Sequence, residues 1–177
     1  TYDLGNGGSP YDGETIEYSI STGNQEFQIR TLRPTSGGQF GRGVLVTDDY
    51  TIISAPADNT TNPNSDRGII WVYDTDPWQL RFVLYIPPID FPFKSGNGGL
   101  SVFGSNNYKL SVDNDILYVC APQARSVGGT GQTLGAIAKY DLITGRFVDY
   151  YHVPQRFVHN SQIGNSIAVY EGRAFIQ

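Results

Sequence analysis

The sequence predicts an all-β fold built from a repeated four-stranded antiparallel sheet. A phrase of one glycine, four residues that are mostly apolar in the second and third copies, an aromatic residue and Asp or Ser occurs three times, at residues 13–19, 68–74 and 135–141. The chain has 21 glycines, 10 prolines and 13% aromatic residues. That composition is typical of short strands joined by frequent turns. Self-similarity at this spacing indicates a repeat architecture.

A second phrase has the same periodicity. It begins with Phe-Gly, continues through an alternating strand and a tight acidic turn, and ends in Ala-Pro. It runs from Phe40 to Pro56, returns from Phe103 to Pro122, and recurs in shortened form from Ile163 to Gln177. Residues shared between the copies are expected to be framework, so function is expected in what differs between them.

The first full copy reads as a meander of four strands. Residues 43–47 and 50–55 alternate around Asp48-Asp49, which predicts a two-residue hairpin. Pro56 lacks a backbone donor and should end the second strand. Residues 68–74 form the third strand, Asp76-Pro77 a turn, and residues 79–86 the fourth strand.

The next copy repeats this order. Strands are expected at 108–112 and 116–121, joined by a turn at 113–115, and then at 135–141 and 147–153. The leading segment supplies strands at 15–20 and 26–32, and a strand is expected from Arg173 to Gln177.

A four-stranded meander recurring at about 60 residues is typical of a β-propeller blade. We therefore expect about three blades' worth, an arc of a larger propeller. Residues 1–39 would be the end of a preceding blade (strands two to four), 40–102 and 103–162 complete blades, and 163–177 the start of a further blade.

These residues resemble the FG-GAP repeat of integrin-α-type β-propellers, over nearly the whole chain from Gly13. The resemblance is closest to the calcium-free variety of bacterial surface proteins and tailed-phage structural proteins, as in residues 140–145, 163–169 and 171–173. The departures are Ile163 in place of Phe, Ser54 and Cys120 in place of the Gly before Ala-Pro, and a three-residue insertion after Phe103-Gly104. The framework positions that match the repeat are Phe40, Gly41, Pro56, Gly68, Tyr73, Phe103, Gly104, Pro122, Gly135, Tyr140 and Gly164.

The sequence gives little indication of a metal-binding or cofactor-binding site. Integrin-like blades carry a calcium loop in the first hairpin, but the turns at 47–49, 113–115 and 170–172 are too short to wrap an ion with enough oxygen ligands. The longer loop from Asp58 to Asp66 is rich in oxygen ligands, but its spacing matches no calcium loop. We expect no metal and no cofactor.

Catalytic side chains are also not expected. Cys120 aligns with Ser54 in the other copy, which favours a small side chain in a crowded strand over a nucleophile. His152 and His159, the two histidines, are accompanied by no activated nucleophile or orienting acid. They are also too few for a transition-metal site.

The favoured function is a non-enzymatic binding or structural module of an extracellular, cell-surface or virion assembly. Its partner would be a protein or a glycan, together with neighbouring blades or subunits. Non-repeating loop residues are the candidates for contact: Asn62, Asn64, Asp66, Phe91, Phe93, Arg125, Thr130 and Gln132. Two alternatives remain open, namely a propeller enzyme with its active site in other blades and an integrin-like receptor segment.

The charge and hydropathy of the sequence argue against nucleic acid as a partner and against a membrane span. The net charge is −5, and the 12 basic residues are scattered, so a nucleic-acid surface is not expected. No apolar run approaches the roughly 20 residues of a membrane span.

Overall fold

The computed structural model describes residues 15–18, 21–22, 24–29, 40–56, 68–85, 109–122, 135–152 and 164–177. All twelve elements in these ranges are β-strands. Their bounds are β1 Thr15–Tyr18, β2 Gln25–Ile29, β3 Gly43–Val46, β4 Tyr50–Ala55, β5 Ile69–Asp74, β6 Gln79–Tyr85, β7 Leu110–Asp113, β8 Ile116–Ala121, β9 Ala136–Asp141, β10 Arg146–His152, β11 Ile167–Tyr170 and β12 Arg173–Ile176.

The strands form two four-stranded antiparallel sheets and two separate hairpins. Sheet I has the order β3-β4-β5-β6, and sheet II has the order β7-β8-β9-β10. The N-terminal hairpin is β1-β2, and the C-terminal hairpin is β11-β12. The predicted all-β class and the four-stranded meanders are confirmed, and β4 ends directly before Pro56 as expected.

One predicted turn is wrong. Asp113 belongs to β7 and pairs with Ile116, so the turn contains two residues, Asn114 and Asp115, and not three. Their φ angles are 49° and 58°. Asn and Asp tolerate this left-handed region, and two such residues close a hairpin whose twist matches that of the strands. Small differences of one or two residues occur at other strand ends, where pairing frays.

The third and fourth strands of each unit share an irregularity. The register shifts between Val72 and Tyr73 in sheet I, where Arg81 is the extra residue of β6. In sheet II the shift lies opposite Tyr140, with Val148 as the extra residue. The N-terminal hairpin has its shift between Glu17 and Tyr18. This β-bulge therefore stands before the tyrosine of the repeated phrase in all three copies, and it identifies β1-β2 as a third-and-fourth-strand pair.

Sheets I and II pack face to face through one hydrophobic core. Sheet I contributes Ile52 and Val72, which are fully buried, and sheet II contributes Leu117, Val119 and Tyr140. The hydroxyl of Tyr140 also donates a 2.9 Å hydrogen bond to the backbone carbonyl of Tyr85 in sheet I. The bond satisfies a hydroxyl that burial removes from water.

The stacking continues in the same direction beyond sheet II. The opposite face of sheet II carries Cys120 and Ile137, and these pack against Ile167 and Val169 of the C-terminal hairpin. Counted from the hairpin turns, Tyr118 corresponds to Ile52, and both face the following unit. Val119 corresponds to Ile53, which lies on the other face of sheet I with Phe40 and Trp71. Sheet II thus presents one face to sheet I and the opposite face to the C-terminal hairpin.

Candidate functional site

The eight loop residues predicted to meet a partner lie outside the described residues. They are Asn62, Asn64, Asp66, Phe91, Phe93, Arg125, Thr130 and Gln132. His159 and the side chain of His152 are outside as well. These predictions remain untested.

The described strands nevertheless fix where the connections that carry those eight residues begin and end. Ala55 pairs with Ile69, which in turn pairs with Tyr85, so β4 ends, β5 begins and β6 ends in one row across sheet I. Sheet II has the same row, with Ala121 paired to Ala136 and Ala136 paired to His152. All three connections therefore leave from the same end of the stack, called here the loop end.

The framework predicted from the repeat occupies the interior where the structure describes it. The buried members of this set are Phe40, Pro56, Gly68, Pro122, Gly135, Tyr140 and Gly164, while Gly41 and Tyr73 are half-buried. Phe103 and Gly104 lie outside the described residues. The rings of Phe40 and Trp71 meet edge to face, with centroids 6.0 Å apart at 84°. Most of the shared positions that the structure describes therefore contribute to packing.

The opposite end of the stack carries the acidic hairpin turns. There, carboxylates join neighbouring units. The hydroxyl of Tyr50 donates to Oδ1 of Asp115 at 3.1 Å, and the backbone N–H of Gly172 donates to Oδ2 of Asp113 at 2.8 Å. Within the described ranges no group of three or more His, Cys, Asp or Glu side chains could hold a metal ion.

Asp141 at this end stabilises the turn that follows it. Its Oδ1 accepts hydrogen bonds from the backbone N–H groups of Ile143 and Thr144, at 2.8 and 2.9 Å. The hydrogen bond from Thr144 is the main reason why the pKa of Asp141 lies below its ordinary value of 3.8. Its carboxylate is therefore a turn cap.

Cys120 is enclosed in the contact between sheet II and the C-terminal hairpin. It is fully buried, and burial raises the pKa of its thiol to about 12. Buried Lys109 attracts the thiolate and lowers that pKa, but desolvation is the larger effect. A Cβ placed on Gly164 would lie 3.0 Å from the Cβ of Cys120. A small side chain fits this position, as the alignment with Ser54 predicts, and its buried thiol stays protonated.

A cleft of about 330 Å³ separates sheet II from the C-terminal hairpin. Lys139 stands on its sheet II wall, with Nζ 5.5 Å from the centroid of the Tyr151 ring, a cation–π distance. The remaining lining is mostly apolar and consists of Tyr118, Ile137, Ile167, Val169, Gly172, Ala174 and Ile176. The equivalent space between sheets I and II is filled by Ala136, Ala138 and Tyr140 of β9.

Sequence reasoning did not identify this cleft. Lys139 stands where the other copy has buried Val72, and this difference within the repeated phrase was the available signal. Comparison of the chain with protein-family models, with curated proteins and with solved structures finds no match. In the described part of the chain, no helix has the length and apolarity that a bilayer crossing requires.

Proposed function

We propose that the chain is an arc of a β-propeller that acts as a non-enzymatic binding or structural module in an extracellular, cell-surface or virion assembly. The observation that carries the proposal is the directional stacking of successive sheets. Ile52 of sheet I and Tyr118 of sheet II occupy the same repeat position, and each faces the next unit. Propeller blades pack on one another in this head-to-tail manner.

The loop end supplies the binding surface in this proposal. Connections from both four-stranded sheets leave from that end, and they differ between copies while the strands repeat. Variable loops on a rigid repeated frame are a common basis of recognition. The sequence resemblance to calcium-free FG-GAP repeats of bacterial surface and tailed-phage structural proteins supports the same role, with a protein or a glycan as the partner.

The test compares the two ends of the stack. The chain is applied to immobilised glycans and cell-surface glycoproteins as wild type and as two loop variants, Asn62→Ala/Asn64→Ala/Asp66→Ala and Phe91→Ala/Phe93→Ala. The matched control is Asp48→Ala/Asp49→Ala in the exposed turn at the opposite end. We expect the loop variants to lose binding and the control to keep it. Absence of binding, or an equal loss in the control, would contradict the proposal.

A further inference from the structure

The described strands place two kinds of segment at opposite ends of the stack. The N–H of Val169 bonds to Ser111, and the N–H of Gly172 bonds to Asp113. β11 therefore runs alongside β7 in the same direction and begins at the loop end. The connections that join strands at the loop end are residues 56–68, 86–109, 122–135 and 153–166. The hairpin turns of the same strands lie at the other end, called here the turn end.

This topology separates charges that are scattered along the sequence. The four loop-end connections contain five basic and three acidic residues, and Arg42 lies directly before β3 at the same end. The basic residues of the loop end are Arg42, Arg67, Lys94, Lys109, Arg125 and Arg156. The turn-end segments, which contain eight acidic and two basic residues, are 47–50, 74–79, 113–116, 141–146 and 170–173. The loop end is therefore positive, although the net charge of the chain is −5.

The acidic turn end does not cancel this positive charge. β4 and β5 have six residues each, so about 20 Å separates the two ends at about 3.3 Å per residue. Salt screens exposed charges beyond about 8 Å at physiological ionic strength. An anion that approaches the loop end therefore meets the basic groups, while the acidic turns are screened from it.

The positive charges are distributed across the loop end. Each of the four connections carries at least one basic residue, and the side chain of Arg42 is exposed. Lys109 is buried at the start of β7, where the other copies have Gly43 and Ser166, so it contributes to the field without direct contact. A single small anion requires polar groups that converge on one point. Charges on several connections instead suit a polymer with repeated negative groups.

The uncharged side chains of the connections favour a glycan as this polymer. The four connections contain 12 of the 20 Asn and Gln residues of the chain. A side-chain amide both donates and accepts hydrogen bonds, as the hydroxyl groups of a sugar do. Nucleic acid fits less well, because domains that bind it are strongly basic as a rule, whereas this chain is acidic.

We propose that the loop end binds an anionic polysaccharide, whose carboxylate or sulfate groups are attracted to basic residues on several connections. This inference rests on the proposed function and names the chemical class of its glycan. The acidic turn end repels the same polymer, so the chain is oriented with its loop end toward the ligand.

Binding to four polymers tests the ligand class. Dextran sulfate carries sulfates, hyaluronate carries carboxylates, dextran is neutral, and polyglutamate is an acidic polypeptide. We expect at least one of the two anionic polysaccharides to bind about tenfold more tightly than dextran and polyglutamate, with an affinity that falls as salt is added. Equal binding of dextran, or tighter binding of polyglutamate or of a DNA duplex, would overturn the proposal.

Paired arginine variants test the location. Arg42 and Arg146 are both exposed and both lie at the start of a strand, but at opposite ends. We expect Arg42→Gln to weaken binding of the anionic polysaccharide about threefold, and Arg42→Gln/Arg125→Gln/Arg156→Gln to weaken it about 30-fold if the three charges act independently. Arg146→Gln should leave the affinity unchanged. An equal loss in Arg146→Gln would contradict binding at the loop end.

The outcomes separate this inference from the proposed function. A neutral glycan that binds as tightly as the anionic polysaccharides, and loses binding in the loop variants at residues 62–66 or 91–93, would overturn the charge preference and leave the proposed function standing. Absence of binding to every glycan and glycoprotein would overturn both.

Discussion

The hydroxyl of Tyr50 in sheet I donates a 3.1 Å hydrogen bond to Oδ1 of Asp115 in the first hairpin turn of sheet II. The two residues are 65 positions apart, at corresponding ends of successive repeat units. Arg81 lies over the Tyr50 ring at 5.7 Å and binds Asp74 at 2.7 Å. This contact shows how an acidic turn serves the stacking of units.

Removing the Tyr50 hydroxyl should therefore weaken the contact between sheets I and II. For Tyr50→Phe we expect the free energy of unfolding in urea to fall by about 1 kcal/mol, the usual net value of one hydrogen bond. The matched control is Tyr170→Phe, whose ring is 69% exposed on the C-terminal hairpin. Equal losses in the two variants would show that the Asp115 contact contributes nothing.

Because Tyr140 is buried, we expect the free energy of unfolding to decrease at alkaline pH. Burial raises the pKa of its phenol well above the ordinary value of 10.0. In the unfolded chain the Tyr140 phenol loses its proton from about pH 10, whereas in the folded chain it keeps the proton. The free energy of unfolding is therefore highest below pH 10 and falls as the pH rises further. The slope from this one group is about 1.4 kcal/mol per pH unit.

The measurement is urea unfolding of wild type and Tyr140→Phe at pH 8 to 11. The variant loses the hydrogen bond to the Tyr85 carbonyl, so we expect about 1 kcal/mol lower stability at pH 8 and a shallower decline above pH 10. Tyr170→Phe, which removes a hydroxyl from an exposed ring, serves as the control. An unchanged slope in Tyr140→Phe would contradict the assignment.

Alanine substitutions at two glycines with positive φ distinguish the cost of backbone strain from the cost of steric overlap. Gly145 has φ 68°, and a Cβ there would lie 2.5 Å from Cδ1 of Phe82 in sheet I. Gly172 has φ 72° with no atom within 4 Å of such a Cβ. We expect Gly172→Ala to lower the free energy of unfolding by about 1 kcal/mol, and Gly145→Ala by about 2 to 4 kcal/mol because overlap is added. Similar losses would mean that sheets I and II approach less closely at Gly145 than described.

The C-terminal hairpin is attached to sheet II through Ser111. The N–H of Val169 donates to its Oγ at 2.9 Å. For Ser111→Ala we expect amide hydrogen exchange at Val169 to accelerate about tenfold, because the donor loses its partner. Ser166→Ala is the matched control on the same hairpin, since its Oγ contacts Gln177. Unchanged exchange at Val169 in the Ser111 variant would contradict the contact between the C-terminal hairpin and sheet II at this position.

The sequence predicted most of the strands, because alternation and turn residues are local signals. β8 begins and ends as expected at Ile116 and Ala121. The bulges opposite Tyr73 and Tyr140 escaped prediction, because one extra residue in a strand leaves no distinct mark in a hydrophobic pattern. The two-residue turn at Asn114 was misjudged for a related reason, since Asp113 is as compatible with a turn as with a strand end.

The candidate site was less predictable. The cleft forms because Lys139 and Tyr151 of sheet II face Ala174 of the C-terminal hairpin, and this proximity depends on the packing of separate units. Sequence comparison between copies predicted a small residue in a crowded strand at Cys120, and the structure buries that side chain. Contacts across 50 or more residues, such as Tyr140 with Tyr85, require the stacking itself.

Nuclear Overhauser effects between methyl groups test the directional stacking most directly. In a chain labelled at Ile, Leu and Val methyls, we predict effects from Ile52 and Val72 to Leu117 and Val119, and from Ile137 to Ile167 and Val169. Effects from Ile53 to Val119 instead would mean that the two sheets pack through equivalent faces. That result would contradict head-to-tail repetition and the propeller arc proposed from it.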